Sequence, residues 1–197
     1  IQNLPFGIFS TSELSPRPGV ALGNHVIHLS ALYSSGYLSN LPYDESDFSS
    51  ETLNPIINKG KSPSRLLRAR ISELFRSDAS ELRDSVSDHS GCIIDMESIT
   101  MHMPVHVGDY TDCYSSEDHA RNVGKMFRDP ENALLPNWKH MPVAYHGRAS
   151  SIVVSGTPIR RPHGQLKPSE TEPPIYGPSR LLDFELEMAF ITHPGKP

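Results

Sequence analysis

The chain has 197 residues, of which 37% are hydrophobic and 21% charged, so its composition predicts a folded protein of one large or two small domains. Its formal net charge of −5 argues against a nucleic-acid partner, since such partners normally require a basic surface. No apolar run approaches the roughly 18 residues of a membrane-spanning helix, and the first residues lack the layout of a signal peptide. Two cysteines are too few for a disulfide framework, which favours a reduced, cytoplasmic location.

The N-terminal part is predicted to be rich in β-structure. Residues 19–29 form two apolar runs joined by Gly23 and Asn24, a dipeptide that indicates a two-residue hairpin turn. Residues 33–50 are polar and rich in turn-forming side chains, which predicts a surface loop.

The strongest helix prediction covers residues 62–78. Ser62 can cap this helix, and Pro63 suits its first turn. Three apolar side chains fall on one helical face: Leu67, Ile71 and Leu74. A second, shorter helix is predicted for residues 79–88.

The pattern changes near residue 103, where Pro104 interrupts any helix, and we place a domain boundary there. Beyond it, a helix is predicted over residues 115–127, with Ser116 as its cap and Gly124 near its end. Three more elements are predicted from composition: a strand at 150–156, a loop rich in Pro and Gly at 160–180, and a strand at 181–191.

The last of these strands contains "DFELEMAF", in which acidic and apolar residues alternate. Side chains alternate faces along a strand, so Asp183, Glu185 and Glu187 share one face. A solvated sheet face explains this pattern. However, acidic residues are poor strand formers, and a hard cation between Glu185 and Glu187 would remove their repulsion. Oxygen ligands suit Ca²⁺ or Mg²⁺, and a third ligand would have to come from elsewhere.

Residues 108–124 offer candidates for that ligand and for a general base. Asp109 and Asp112 lie in a segment rich in Tyr and Ser, and His119 follows in the predicted helix. An imidazole beside an acidic loop suits proton transfer near neutral pH. The alternative for this histidine is an ordinary surface or core position.

Several familiar catalytic motifs are absent from the sequence. It contains no G-x-S-x-G elbow, no P-loop and no C-x-x-C pair. His102 and His106 have the spacing of a zinc-binding helix, but Pro104 between them forbids that helix.

Four segments together resemble the fumarylacetoacetate hydrolase family, and within it the fumarylacetoacetases. They are "IQNLPFGIFS", "VGDYTDCYSSEDHARNVGKMFR", "ENALLPNWKHMPVAYHGRASSIVVSGTPIRRPHGQ" and "LLDFELEMAF". The wider family shares the E-x-E strand, whereas the "GDYTD" loop and the leader are more specific. The resemblance implies a mainly β (α+β) fold, with a small SH3-like barrel in residues 1–103. Residues 104–197 would then form the first part of a mixed β-roll catalytic domain.

The resemblance also implies roles for individual residues. Asp112, Glu185 and Glu187 would bind Ca²⁺, with Mg²⁺ as the other plausible ion, and His119 would activate water. Substrate would be held by three side chains: Tyr114, Arg128 and Tyr145. Asp109 and Asp183 have no ligand role in the family, and Cys113 stands where the family commonly has an aromatic residue.

The implied reaction is hydrolysis of a carbon–carbon bond in 4-fumarylacetoacetate, giving fumarate and acetoacetate, in the last step of tyrosine and phenylalanine breakdown. The implied assembly is a cytoplasmic homodimer that binds a small β-diketo acid and neither nucleic acid nor membrane. The family continues for roughly as many residues again, with further site residues, so we expect this chain to be a fragment that needs its second half or a partner chain. Two alternatives stay open: another enzyme of the superfamily, such as an acylpyruvate hydrolase or an oxaloacetate decarboxylase, and a non-catalytic metal-binding fragment.

Overall fold

The computed structural model describes residues 3–85, 91–141 and 143–193. The chain divides into two compact units, one formed by residues 1–104 with 154–197 and the other by residues 105–153. The sequence-predicted pair of domains, 1–103 and 104–197, stays a prediction.

In the described residues, the first unit starts with an antiparallel sheet and the helices that flank it. Its strands before residue 104 are β1 (Phe6–Ser10), β2 (Arg17–Leu22), β3 (His25–His28), β4 (Ile93–Asp95) and β5 (Thr100–His102). The helices are α1 (Leu29–Ser34), α2 (Glu45–Phe48), α3 (Asn54–Asn58) and α4 (Lys61–Leu74), with a 3-10 turn at Met96–Ser98. None of the described helices has the length and apolar character needed to cross a membrane.

The second unit combines one 11-residue helix with strands and 3-10 turns of three residues each. They are β6 (Thr111–Cys113), α5 (Glu117–Phe127), β7 (Ala144–His146) and 3-10 turns at Pro130–Asn132 and Ala149–Ser151. Two further strands, β8 (His163–Leu166) and β9 (Ile175–Pro178), belong to the first unit.

The N-terminal sheet has the strand order β4-β3-β2-β1-β5, and each neighbouring pair is antiparallel. This confirms the predicted mainly β class with helices alongside. Among the described residues the sheet is open, with β4 and β5 at its edges, and no pairing closes it into a barrel. The hairpin predicted at Gly23 is confirmed: Leu22 pairs with His25, and Gly23 adopts a φ of 59°. Glycine at the first central position is the preference of a type II′ turn.

The core of this unit combines sheet and helix side chains. Six of its members are at most 1% exposed: Ile8, Phe9, Val20, Ile27, Leu67 and Ile71. Burying each such side chain contributes roughly 1.5–3 kcal/mol to folding. The predicted apolar face of the long helix is confirmed, since Leu74 is buried as well.

The ends of α4 differ from the prediction. The helix starts at Lys61 and its N-cap is Gly60 rather than Ser62. Gly60 has a φ of 90°, which a residue with a side chain adopts only with strain, so the glycine lets the chain turn into the helix. The hydroxyl of Ser64 donates to the carbonyl of Gly60 at 2.9 Å.

Two predictions for flanking segments were wrong. Residues 33–50 are more than a surface loop, because Leu38, Tyr43 and Phe48 are buried and fix the segment to the core. The helix predicted at residues 79–88 is absent from residues 79–85, which contain a turn at 81–84, while residues 86–90 lie outside the described part of the chain. The turn is held by Arg70, whose guanidinium donates to both carboxylate oxygens of Glu81.

Three predictions in the second half of the chain were also wrong. Residues 150–156 form a 3-10 turn and irregular backbone instead of a strand. Residues 160–180 contain the β8–β9 hairpin, in which Gly164 lies opposite Gly177, rather than a featureless loop. Residues 181–191 are assigned to no strand in the described structure. A strand requires a hydrogen-bonded neighbour, and alternation of side chains does not supply one.

Candidate functional site

Asp112 and Tyr145 lie directly opposite each other in the antiparallel pair of β6 and β7. The Tyr145 hydroxyl donates a hydrogen bond of 2.8 Å to Oδ2 of Asp112. Cross-strand neighbours on one face lie close enough for such a bond, so the register of two short strands brings together two residues that are distant in sequence.

Tyr110 adds a second donor to the same carboxylate. Its hydroxyl donates to Oδ2 of Asp112 at 3.1 Å. The backbone N–H of Gly147 donates to the carbonyl of Tyr110 at 2.7 Å, beyond the end of the strand pair. A Cβ atom at Gly147 would lie 2.1 Å from Cδ1 of the Tyr110 ring, so only glycine leaves room for that ring.

His119 lies in the first turn of α5, where the predicted cap is confirmed. The hydroxyl of Ser116 accepts a hydrogen bond of 3.3 Å from the backbone N–H of His119. The imidazole ring meets the ring of Tyr114 edge to face, with 5.5 Å between the ring centroids. Tyr114 is itself anchored, since its backbone N–H donates to the carbonyl of Val143 at 2.9 Å.

Arg128 follows the last residue of α5 and forms its C-cap. Its Nη1 donates to the carbonyl of Ala133 at 3.1 Å, and its backbone N–H donates to the carbonyl of Gly124 at 2.8 Å. Gly124 lies inside the helix, and a Cβ atom there would lie 2.1 Å from the Ala133 oxygen. The glycine therefore permits the close approach that places the Ala133 carbonyl beneath the guanidinium.

From the first turn of α5, Glu117 forms ion pairs with two basic residues. Its Oε1 accepts hydrogen bonds from Arg121 at 2.8 Å and forms an ion pair with Lys139 at 3.2 Å. Hydrogen bonds from Arg121, and then from Lys139, lower the pKa of the Glu117 carboxyl. A carboxylate in the first turn also suits the positive end of the helix.

The two glutamates of the predicted metal site lie in a different part of the chain. Glu185 and Glu187 lie in residues 181–193, which are assigned to no strand or helix and belong to the first unit. The apolar side chains next to them are open to solvent, with Leu186 95% exposed and Met188 93% exposed. Asp183 accepts a hydrogen bond of 2.8 Å from the backbone N–H of Phe184.

The unit of residues 105–153 therefore contains five of the seven predicted site residues, namely Asp112, Tyr114, His119, Arg128 and Tyr145. Glu185 and Glu187 belong to the other unit. Among the described residues, no group of three or more His, Cys, Asp or Glu side chains is arranged to hold a metal ion. The assigned roles stay predictions.

Sequence reasoning missed three residues that shape this site: Tyr110, Gly124 and Gly147. A signal for Tyr110 existed, because a side chain two residues before Asp112 shares its face in an extended segment. For the glycines no local signal existed, since the atoms that need their space lie on Ala133 and Tyr110.

Residues 2–104 match the model of a family described as fumarylacetoacetase N-terminal. The chain is 50% identical over 196 residues to a fumarylacetoacetase of Mus musculus, an alignment that covers 99% of this chain and 47% of that protein. It is 49% identical over 199 residues to a fumarylacetoacetase of Homo sapiens, again covering 99% of this chain and 47% of the relative. With a fumarylacetoacetase of Caenorhabditis elegans the identity is 49% over 193 residues, 98% of this chain and 46% of that protein. The chain thus spans about half the length of the curated relatives it matches.

Proposed function

The chain belongs to the fumarylacetoacetase N-terminal family, and on this premise we propose that it forms part of an enzyme that hydrolyses 4-fumarylacetoacetate to fumarate and acetoacetate. This would be the last step of tyrosine and phenylalanine breakdown. The relatives that carry the name fumarylacetoacetase, at about 50% identity over nearly the whole chain, support the substrate. Because the chain spans about half of their length, the proposal concerns the activity of the whole protein.

The observation that carries the proposal is that one compact unit, residues 105–153, contains two polar contacts made by predicted site residues. The Asp112 carboxylate accepts a hydrogen bond from the Tyr145 hydroxyl, and the His119 ring meets the Tyr114 ring edge to face. A carboxylate, an imidazole and neutral hydroxyl donors are the groups that hydrolysis of a diketone requires, since it needs a proton acceptor for water and donors for carbonyl oxygens.

In the proposed reaction, His119 accepts a proton from water, and the water oxygen bonds to one carbonyl carbon. The carbon–carbon bond then breaks, and its electron pair leaves with the acetoacetate fragment, which takes up a proton. Arg128 suits an anionic substrate end, because its guanidinium has donors beyond the one used on Ala133. The Tyr114 hydroxyl would donate a neutral hydrogen bond to a substrate oxygen. Tyr145 has one hydroxyl proton, which it donates to Asp112, so it would turn from that carboxylate to bind a substrate oxygen.

The proposed metal is Ca²⁺, with Mg²⁺ as an alternative, and its proposed ligands are Asp112, Glu185 and Glu187. Carboxylate oxygens are the donors that these hard cations prefer, and a bound ion would polarise the neighbouring carbonyls of the substrate. Among the described residues, no group of three or more His, Cys, Asp or Glu side chains is arranged as a metal site.

These ligands can be tested by substituting acidic residues in the natural gene product. The affinity of each variant for Ca²⁺ is measured by calorimetry. Asp112→Asn and Glu185→Gln should each weaken the affinity, whereas Asp109→Asn and Asp183→Asn should leave it unchanged. Equal affinities in all four variants would remove Asp112 and Glu185 from the ligand set.

The proposed setting is the cytoplasm, and the proposed assembly is a homodimer that acts on a small β-diketo acid, with no nucleic-acid or membrane partner. The net charge of −5 supports the absence of a nucleic-acid partner. Sedimentation of the natural gene product would measure its assembly directly.

The deciding experiment is a substrate panel. The natural gene product is incubated with 4-fumarylacetoacetate, an acylpyruvate and oxaloacetate, and the products are quantified. We expect fumarate and acetoacetate in equal amounts and the highest kcat/KM for 4-fumarylacetoacetate. A higher value for either of the other substrates would identify another enzyme of the superfamily. Binding of Ca²⁺ without turnover of any substrate would indicate a non-catalytic metal-binding protein.

A further inference from the structure

We propose that Tyr110 is a positioning residue that holds the Asp112 carboxylate in its working orientation, an inference whose catalytic meaning rests on the proposed function. Tyr110 reaches the site through its hydroxyl, 3.1 Å from Oδ2 of Asp112. It is distinct from the tyrosines assigned to substrate, Tyr114 and Tyr145.

The first argument is that two donors converge on one oxygen. Tyr110 approaches Oδ2 from two residues earlier in the chain, and Tyr145 approaches it at 2.8 Å from the opposite strand. Within the part of the chain that the structure describes, the Asp112 side chain accepts two hydrogen bonds, and both are accepted by Oδ2. Two donors on one oxygen restrict rotation of the carboxylate and leave Oδ1 as the oxygen for the proposed metal ion.

The second argument is that the Tyr110 ring is itself fixed. Its Cδ1 and Cε1 atoms occupy the space beside Gly147, where a Cβ atom would lie 2.1 Å and 2.4 Å from them. The backbone is tied at the same place, because the Gly147 N–H donates to the Tyr110 carbonyl at 2.7 Å. A donor held by both its ring and its backbone orients its acceptor more firmly than a mobile donor does.

Tyr110→Phe separates positioning from packing. The variant keeps the ring beside Gly147 and removes the hydroxyl alone, so the fold should be retained. The matched control is Tyr176→Phe, a change of the same atom on β9 in the other unit, where the side chain is 76% exposed. Three properties of the natural gene product are measured in each variant: kcat and KM for 4-fumarylacetoacetate, the carboxyl carbon-13 signal of Asp112, and the midpoint of thermal unfolding.

We expect Tyr110→Phe to lower kcat by about 10- to 100-fold, the usual loss when the outer partner of a metal ligand is removed, which is the role proposed for Asp112. KM should change much less, because the hydroxyl faces Asp112 rather than the substrate. The carbon-13 signal of Asp112 should shift, while the unfolding midpoint and all values for Tyr176→Phe stay near wild type.

An unchanged kcat and an unmoved Asp112 signal in Tyr110→Phe would overturn the inference. A fall in the unfolding midpoint with no change in kcat would also overturn it, since that result indicates packing alone. If the wild-type protein does not turn over 4-fumarylacetoacetate, the proposed function fails. The carbon-13 signal then still decides whether Tyr110 orients Asp112.

Discussion

The hydroxyl of Tyr145 lies 2.8 Å from Oδ2 of Asp112, across a pair of strands in which the two residues are direct neighbours. Each of these strands is three residues long. So short a pair gains little from its backbone ladder, and side-chain bonds across it contribute to holding its register.

This relationship predicts the behaviour of Tyr145→Phe. The variant loses one hydrogen bond to a charged acceptor, and because Tyr145 is 61% exposed the free energy of unfolding should fall by no more than about 1 kcal/mol. Turnover should fall further than stability, since the proposed substrate donor is lost as well. Chemical unfolding and steady-state kinetics measure the two effects. Combined with Asp112→Ala, which removes the acceptor, the stability losses should be less than additive, because both changes remove the same bond. Full additivity would contradict the prediction.

His119→Ala should abolish most turnover and preserve helix α5. The cap at the start of the helix uses the backbone N–H of His119, so the bond from that group to Ser116 survives loss of the imidazole. Loss of a general base typically costs about 10²- to 10⁴-fold in rate. Kinetics and far-ultraviolet circular dichroism test the two statements. His140→Ala, a change of an exposed histidine in the same unit, is the control. Turnover at the wild-type rate in His119→Ala would show that another group is the base.

Sequence reasoning succeeded where the signal is local. The turn at Gly23 and the Ser116 cap each depend on backbone groups within a few residues, and both are confirmed. The apolar face of α4 is equally local, because helical spacing alone places Leu67 and Ile71 together.

The same reasoning failed where the deciding partner is distant in sequence. Alternation in residues 181–191 indicated a strand, yet no described segment pairs with it. The hairpin of β8 and β9 was missed because its strands contain Gly and Pro and are joined by a polar connection. In the site, Asp112 and His119 were selected by residue type, whereas Tyr110 depends on a contact with Gly147 that composition does not reveal.

Gly124→Ala should destabilise the protein although alanine is the better helix former. The added Cβ atom would lie 2.1 Å from the Ala133 oxygen, which must then move away from Nη1 of Arg128. Overpacking of this kind costs about 1–3 kcal/mol, against a gain of about 1 kcal/mol from helix propensity. We expect a lower free energy of unfolding and a higher KM for the anionic substrate.

The matched control for that change is Gly108→Ala, in the same unit. A Cβ atom at Gly108 meets no heavy atom of the described structure within 4 Å, and its φ lies outside the left-handed region. Its stability and KM should therefore stay near wild type. Equal effects of the two glycine variants would show that the contact with Ala133 does not position Arg128.

His28 predicts a dependence of stability on pH that is independent of the proposed site. It is 7% exposed at the end of β3, with its ring edge-on to Phe9. Burial, and then the nearby positive charge of Arg17, lowers the pKa of His28 from 6.5 to about 4. The unfolded chain therefore binds a proton at a higher pH than the folded chain does. The stability that comes from keeping this imidazole neutral is present above pH 6.5 and is lost as the pH falls from 6.5 towards 4.

The free energy of unfolding should therefore be lower at about pH 5 than at about pH 7.5, with His28 accounting for about 2 kcal/mol of the difference. Urea unfolding at both pH values measures this difference directly. In His28→Leu the difference should shrink by that amount, because the variant has no imidazole to protonate in the unfolded state. His25→Leu, which changes the exposed histidine at the start of the same strand, should retain the wild-type difference. If His28→Leu retained it as well, proton uptake by His28 would not be the cause of the acid sensitivity.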